Sequence, residues 1–339
     1  MVRAWAVGLM VLFALVSGRS AWAWEAHGHQ VMGLTAAKLL AGTPTLQQVQ
    51  RLLGNVSLAD AGVWADCVKG VRREAGQDLA YTAVGRFPEC APFETAEGIA
   101  AMESYVRRNH RNCLGPGEEC HRRYHYTDVA LQREAYRLGL AGTQPHDVVQ
   151  GILAASRVLA GQAAPAPFDL QDRREALLVL VHLVEDLHQP LHVGSVYLDA
   201  DGRRIDPDHQ PHDHANDTVG GNALGPRGDN LHRRWDFTAR FADAPLLSQV
   251  EAAARRIPPA SGPWQPWPER WASDTLDTAR KSFTGLQFGP RADTGEANRP
   301  YNWPLTEPEG YRARMETLKL QSLARGAARL AQLLQALLP

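Results

Sequence analysis

The sequence predicts an all-α protein, and three observations carry that expectation. Apolar residues recur at helical spacing in several long segments, capping residues stand where such segments begin, and strand signals are few and short. Val31, Leu34 and Lys38 with Leu39 and Leu40 mark a first amphipathic helix that ends near Gly42. Pro44, whose fixed φ suits a first helical position, opens a second helix with a stripe of Leu46, Val49, Leu52 and Leu53 before Gly54. Asp147 can cap a helix carrying Val148, Ile152, Leu153 and Leu159, stopped at Gly161. The run from about Asp172 to Leu187 is apolar nearly all round, the pattern of a buried central helix. A last helix runs from about Gly310 towards Leu338, with Leu330, Leu333, Leu334 and Leu337 on one side. Residues 199–229 are rich in Asp, Gly, Pro, His and Asn and read as a long loop. No internal repeat and no linker divides the chain, so a single compact helical domain is expected.

The N-terminus reads as an export signal. Arg3 precedes an apolar run from Val7 to Val16, broken by Gly8, and Ser20-Ala21-Trp22-Ala23 ends in a small-x-small pattern. Cleavage is expected between Ala23 and Trp24, with residues 1–23 as the signal peptide and 24–339 as the mature domain. The apolar run is about half of the roughly 20 residues a membrane span needs, which argues against an uncleaved anchor. The expectation is a periplasmic or secreted protein. Residues 1–23 contain Arg3 and Arg19, so the mature chain carries a formal charge of about −3. A chain of that charge is not built to grip long nucleic acid by general electrostatics. If it handles phosphates it must neutralise them locally, and metal ions are the obvious means.

The four cysteines, Cys67, Cys90, Cys113 and Cys120, are even in number and lie close together, which in an exported chain suggests two disulfides. Three connectivities are open. The turn-rich sequence between Cys113 and Cys120 favours a local pair there, with Cys67 and Cys90 left to join.

Chemistry shows in the placing of histidines and acids. His182 and Asp186 stand four apart in the apolar helix, hence on one face, where an ionisable pair must find a partner or a metal. Pro190 should kink or end that helix and re-aim His192. His232 and Asp236 repeat the spacing, and Asp66 with Lys69, and His125 with Asp128, stand three apart. Each pair is common by chance; their combination in one chain is not.

These motifs resemble those of the zinc-dependent single-strand-specific nucleases and 3′-nucleotidases. The matching elements are Trp24 with Gly28-His29, Trp64-Ala65-Asp66 with Lys69, and His125-Tyr126-Thr127-Asp128. They continue with the His182-x3-Asp186-x-His188-Gln189-Pro190-Leu191-His192 run, Gly220-Gly221-Asn222, and Asn230-Leu231-His232-x-x-Trp235-Asp236, in the family's order. The C-terminal helix also looks like the family's.

The resemblance implies a helical fold of the zinc phospholipase C type holding three zinc ions. One ion would be held by Asp66, His125, His182 and Asp186. A second would be held by His192, His232 and Asp236. A third would take the α-amino nitrogen and carbonyl oxygen of Trp24, with His29 and Asp186, so that Asp186 bridges two ions. A zinc-held hydroxide would attack phosphorus in line, releasing 5′-phosphate products. By the same resemblance Lys69 would offset charge on the phosphoryl oxygens, Asp128 would orient the nucleophile, and Asn222 would contact the base. Asp186, Lys69 and Asp128 are thus the catalytic expectations, with Asn222 and Lys69 on the substrate. Single-stranded DNA and RNA and 3′-nucleotides are the expected substrates, acted on by a monomer with no obligate protein partner.

The sequence departs from the family's pattern in places. Glu25 follows Trp24 where many members have glycine, which adds negative charge near the metals. His27 is expected to face away, and His188 to stand behind the ligands or face substrate. Residues 70–121 read as a disulfide-stapled insertion. The loop holding Asp206, Asp208, His209, His212 and His214 is expected to be solvated surface, with an additional metal site as the alternative. Two other functions remain in view. One is a zinc-dependent phospholipase C, against which Lys69 and the Gly220-Gly221-Asn222 run argue. The other is a non-catalytic periplasmic zinc-binding protein, against which Lys69 and Asp128 beside the ligands argue.

Overall fold

The computed structural model describes residues 24–73, 78–111, 113, 119–238, 243–295 and 300–339. The proposed signal peptide, residues 1–23, lies outside the described residues. The fold is organised around α7 (Arg173–Asp186), capped by Asp172, whose side chain accepts from the Glu175 amide. Every α7 residue from Glu175 to Asp186 is buried, as its all-round apolar pattern predicts. Against α7 pack α6 (Val148–Leu159), α2 (Pro44–Leu53), α4 (Trp64–Val68), α3 (Leu58–Ala61) and α11 (Tyr311–Leu337). Pro44 occupies the start of α2, and the Asp147 side chain caps α6 as expected. Leu330, Leu333, Leu334 and Leu337 of α11 are all buried.

The N-terminal helix α1 (Glu25–Leu39) lies between α11, α3 and α9 (Ala244–Ala254). Its buried face differs in one place from the expected stripe. Leu34 is 40% exposed, while Met32, Gly33, Thr35 and Ala36 are buried beside the expected Val31. The reason is close approach: a Cβ on Gly33 would stand 2.5 Å from the Leu58 carbonyl oxygen and 2.7 Å from Ala59 Cα. That glycine lets α1 and α3 meet backbone to backbone and turns Leu34 outward. A second apolar cluster, of Val31, Met32, Val250, Ala254, Leu323 and Ala327, seals this side.

The helices α5 (Ala96–Asn109), α8 (Leu231–Asp236) and α10 (Trp267–Ser282) complete the set among the described residues. Among the described residues the β structure consists of two-stranded pairs and two isolated bridges. One pair positions the site: Val129–Ala130 runs parallel to Gly194–Ser195, with Thr127 N–H donating to His192 O at 2.8 Å. The backbone after His125 is thereby laced to the backbone after His192. Within residues 70–121, the antiparallel pair Val71–Arg73 and Leu79–Tyr81 precedes α5. Disulfides join Cys67 to Cys90 and Cys113 to Cys120, the connectivity the turn-rich loop favours.

Candidate metal centre

The site grows from the C-terminal turn of α7. His182 and Asp186 face the same way one turn apart, with Nε2 and Oδ2 2.9 Å apart and both side chains fully buried. A carbonyl oxygen can only accept, so the 2.6 Å contact from His182 Nδ1 to Gly62 O makes Nδ1 the protonated nitrogen. The bare Nε2 is left facing Asp186 and, at 2.8 Å, His125 Nδ1. His125 Nδ1 also lies 2.9 Å from Asp186 Oδ2.

Helix α7 stops at Asp186, and Pro190 begins a short 3₁₀ turn to His192. His192 Nδ1 donates to His125 O at 2.9 Å, and its Nε2 comes within 3.2 Å of His232 Nε2. His232 Nδ1 in turn donates to Gly220 O at 2.7 Å. Three rings are thus held by the backbone through Nδ1 with Nε2 left over, the arrangement that orients metal-binding imidazoles. Asp236, one turn from His232 on α8, has Oδ2 3.4 Å from His232 Nε2, and its Oδ1 accepts from Gln189 Nε2 at 2.8 Å.

Two N-terminal elements close the cluster. Asp66 on α4 accepts Lys69 Nζ at 2.5 Å and stands 3.8 Å from His182 Nε2. Trp24, fully buried at the start of α1, has left-handed φ of 34°; its backbone nitrogen lies 3.2 Å from Asp236 Oδ1. Gly28 makes this possible, since a Cβ there would stand 2.9 Å from Trp24 Cβ. The His29 ring stacks on His182 with centroids 4.2 Å apart, and its Nε2 is 3.6 Å from Asp186 Oδ1.

All nine expected ligands therefore converge. Donor atoms of His192, His232 and Asp236 gather as one group, as the resemblance implies, and those of His125, His182 and Asp186 as another. His29 also gathers with Asp66 and His182, so the first and third expected sets adjoin. The chemistry of the donors fits divalent cations. Asp66, Glu185, Asp186 and Asp236 are buried carboxylates, and each keeps one oxygen without a hydrogen-bond partner. Among the described residues the one ammonium paired with them is that of Lys69. Buried, unneutralised carboxylates cost several kcal/mol each unless cations meet them. Burial pushes the His125 and His232 rings down to about 3, so both are neutral and offer lone pairs. Burial pushes the Asp186 carboxyl up, but the His182 and His192 rings beside it and a hydrogen bond from His125 hold it well below the usual range.

Beside the donors opens a cavity of about 200 Å³, lined by Lys69, Asp128 and Asn222 together with His125, His192 and His232. Asp128 Oδ1 is buried without a partner; burial and the charge of Asp217 push the carboxyl well above its usual range, opposed by the Gly220 N–H. Asn222 follows a left-handed run at Val219, Gly220 and Gly221, with φ of 52°, 54° and 83°. A Cβ on Gly220 would stand 2.4 Å from Leu191 O, so the glycine is required where this turn meets the α7 extension. The left-handed φ of Val219 is costly for a β-branched residue and sits at the cavity wall.

Three site residues escaped the sequence reading. Arg122 and Tyr126 line the cavity, and Arg122 Nη2 donates to Lys69 O at 2.7 Å. Glu185 meets His29 Nδ1 at 2.8 Å. Their signal was nearness in sequence to identified ligands, within three residues of His125 or next to Asp186, which is too common to single out a residue. His27 is exposed, as expected. His188 turns away from the donors: Nδ1 donates to Val184 O at 2.7 Å, and Nε2 faces Arg329, which lies over Trp271. In the loop, Asp206 and Asp208 pair with Arg133 and His209 packs on Asp206, while no metal-holding group forms there among the described residues.

No curated protein matches the chain in a sequence comparison. A model of the S1/P1 nuclease family matches residues 24–339, beginning at Trp24 and covering every donor of the site. Members of that family are secreted, zinc-dependent nucleases with a helical fold related to zinc phospholipase C. Among the described residues no helix is long and apolar enough to cross a membrane. The chain belongs to the S1/P1 nuclease family and is, with that family, a zinc-dependent phosphodiesterase acting on nucleic acid.

Proposed function

We propose that residues 24–339, freed of the signal peptide and acting outside the cytoplasm, hydrolyse single-stranded DNA and RNA to 5′-phosphate products and 3′-nucleotides to nucleoside and phosphate. The observation that carries this reading is the convergence of the nine expected donors, of which His125, His192 and His232 line a cavity shared with Lys69, Asp128 and Asn222. In this reading three zinc ions are held by the sets that the resemblance implies, with Trp24 contributing its freed α-amino nitrogen. Bound zinc would supply an acidified water as nucleophile and charge stabilisation at phosphorus.

The chain's own groups do the rest. Lys69, 18% exposed and leaning on Asp66, offers its ammonium to the phosphoryl oxygens as their charge grows. Asp128, whose carboxyl holds a proton more readily than usual, orients the attacking water or exchanges a proton with it. Asn222 spends Nδ2 on Val219 O at 3.1 Å and keeps its carbonyl oxygen for a base edge. Tyr126 lends an aromatic face to an unstacked base. A recess of about 200 Å³ suits one splayed nucleoside, whereas a duplex keeps its bases in the stack.

The test offers the mature protein denatured DNA, RNA, a 3′-nucleotide and phosphatidylcholine. Hydrolysis of the first three to 5′-phosphates or free nucleoside is expected, with kcat falling about 10²- to 10³-fold in Lys69→Ala at unchanged zinc content. Cleavage of the lipid alone, or undiminished turnover by Lys69→Ala, would overturn the reading.

A further inference from the structure

The two donors at the start of α1, Trp24 and His29, share a partner beyond the packing of that helix. Both rest on a single residue of α7. The Glu185 carboxylate meets His29 Nδ1 at 2.8 Å, with both side chains fully buried, and the Glu185 carbonyl accepts the Trp24 indole N–H at 3.1 Å. The space for that carboxylate is made by Gly62, where a Cβ would stand 2.4 Å from Glu185 Oε2. The other oxygen, Oε1, has no hydrogen-bond partner. A fully buried carboxylate beside the Asp186 carboxylate is costly, and an ordinary core position would carry an apolar side chain instead.

We propose that Glu185 is the positioning residue for His29: its carboxylate accepts the hydrogen bond from Nδ1–H, so that Nε2 is presented bare towards Asp186. Resting on the zinc reading above, the inference assigns Glu185 the part that Gly62 O plays for His182 and Gly220 O for His232, with a negative charge added. The extra charge makes His29 a better donor and helps neutralise a dication.

Two variants test it, Glu185→Leu and Glu185→Gln, each compared with wild type as the full mature protein. Nitrogen-15 NMR of the metal-free protein should find His29 protonated on Nδ1 in wild type and in Glu185→Gln, whose amide oxygen still accepts. In Glu185→Leu the proton should move largely to Nε2. Competition with a chelator should show one of three zinc ions held about 10- to 100-fold more weakly in Glu185→Gln, and lost from Glu185→Leu. An unchanged tautomer in Glu185→Leu, or three ions held as tightly in Glu185→Gln as in wild type, would overturn the proposal. If Glu185→Leu does not fold, the zinc affinity of Glu185→Gln carries the decision. A wild type that binds fewer than three ions would count against the zinc reading itself, while the tautomer measurement would still decide the role of Glu185.

Discussion

Asp147 shows at the scale of one residue how a cap and a titration share an atom. Its Oδ1 accepts the Val149 and Gln150 amides at the start of α6, and its Oδ2 takes the Tyr136 hydroxyl at 2.9 Å. Burial nonetheless pushes its carboxyl up, from 3.8 to about 6. The folded chain therefore holds this proton more tightly than the unfolded chain does. The stability so linked is fully present below about pH 3.8 and is lost as pH rises through about 6. A shift of about two pH units corresponds to about 3 kcal/mol. Asp147→Asn keeps the cap and lacks the titration. On metal-free protein, wild-type unfolding free energy minus that of the variant should rise by about 2 to 3 kcal/mol as pH falls from 7 to 4. A flat difference in urea unfolding at those pH values would show that the carboxyl titrates normally. The cap was legible in the sequence, because Asp before an apolar run has one common use. The shift was not, since it comes from what packs over the residue.

At the scale of elements, helix α1 depends on one close backbone crossing. Gly33 admits Leu58 O and Ala59 Cα to distances that a methyl group could not share. The obstacle is backbone, which cannot swing aside as a side-chain tip can. Gly33→Ala should lower the unfolding free energy by about 2 to 3 kcal/mol, although alanine is the better helix former. Leu34→Ala, on the exposed side of the same turn, should change it by less than about 0.5 kcal/mol. Denaturant titration of both variants checks the pair, and equal effects would deny the close crossing. The helices with clean periodicity or a buried run, α2, α6, α7 and α11, were legible along the chain. Neither α5 nor α10 was, because their buried faces hold few aliphatic residues: Met102, Tyr105, Val106 and Asn109 in α5, and Trp267, Trp271, Thr275, Leu276 and Ala279 among those in α10. The outward turn of Leu34 was also hidden, since it depends on how near α3 comes.

At the scale of the whole molecule, the site joins distant parts of the chain. Trp24 caps α1 and His29 lies within it, Asp66 comes from α4, His182 and Asp186 from α7, and His232 and Asp236 from α8. A cation that binds among them cross-links the fold and stabilises only the native state. An ion held a thousandfold above its dissociation constant adds about 4 kcal/mol. Removing zinc with a chelator should therefore lower the melting temperature by several degrees per ion and abolish hydrolysis. Zinc should restore both and magnesium neither, since the donor set is rich in imidazole. Calorimetry with and without chelator reads this, and an unchanged melting temperature would deny the coupling of metal to fold.

The identities of the donors, their order and the helix that carries His182 and Asp186 are properties of the chain alone. An ionisable pair inside an apolar helix is conspicuous wherever the helix ends up, and a proline after it marks where the chain turns. The pairing of cysteines across a turn-rich loop is likewise local. What waited on packing was the environment of each group: which carbonyl fixes each imidazole, which glycine clears the way, and which neighbour lines the cavity. Arg122, Tyr126 and Glu185 have ordinary surroundings in sequence and acquire their parts from residues far along the chain, Glu185 from His29 across 156 positions. A contact of that kind is set by the crossing of helices, and no pattern within either helix encodes it.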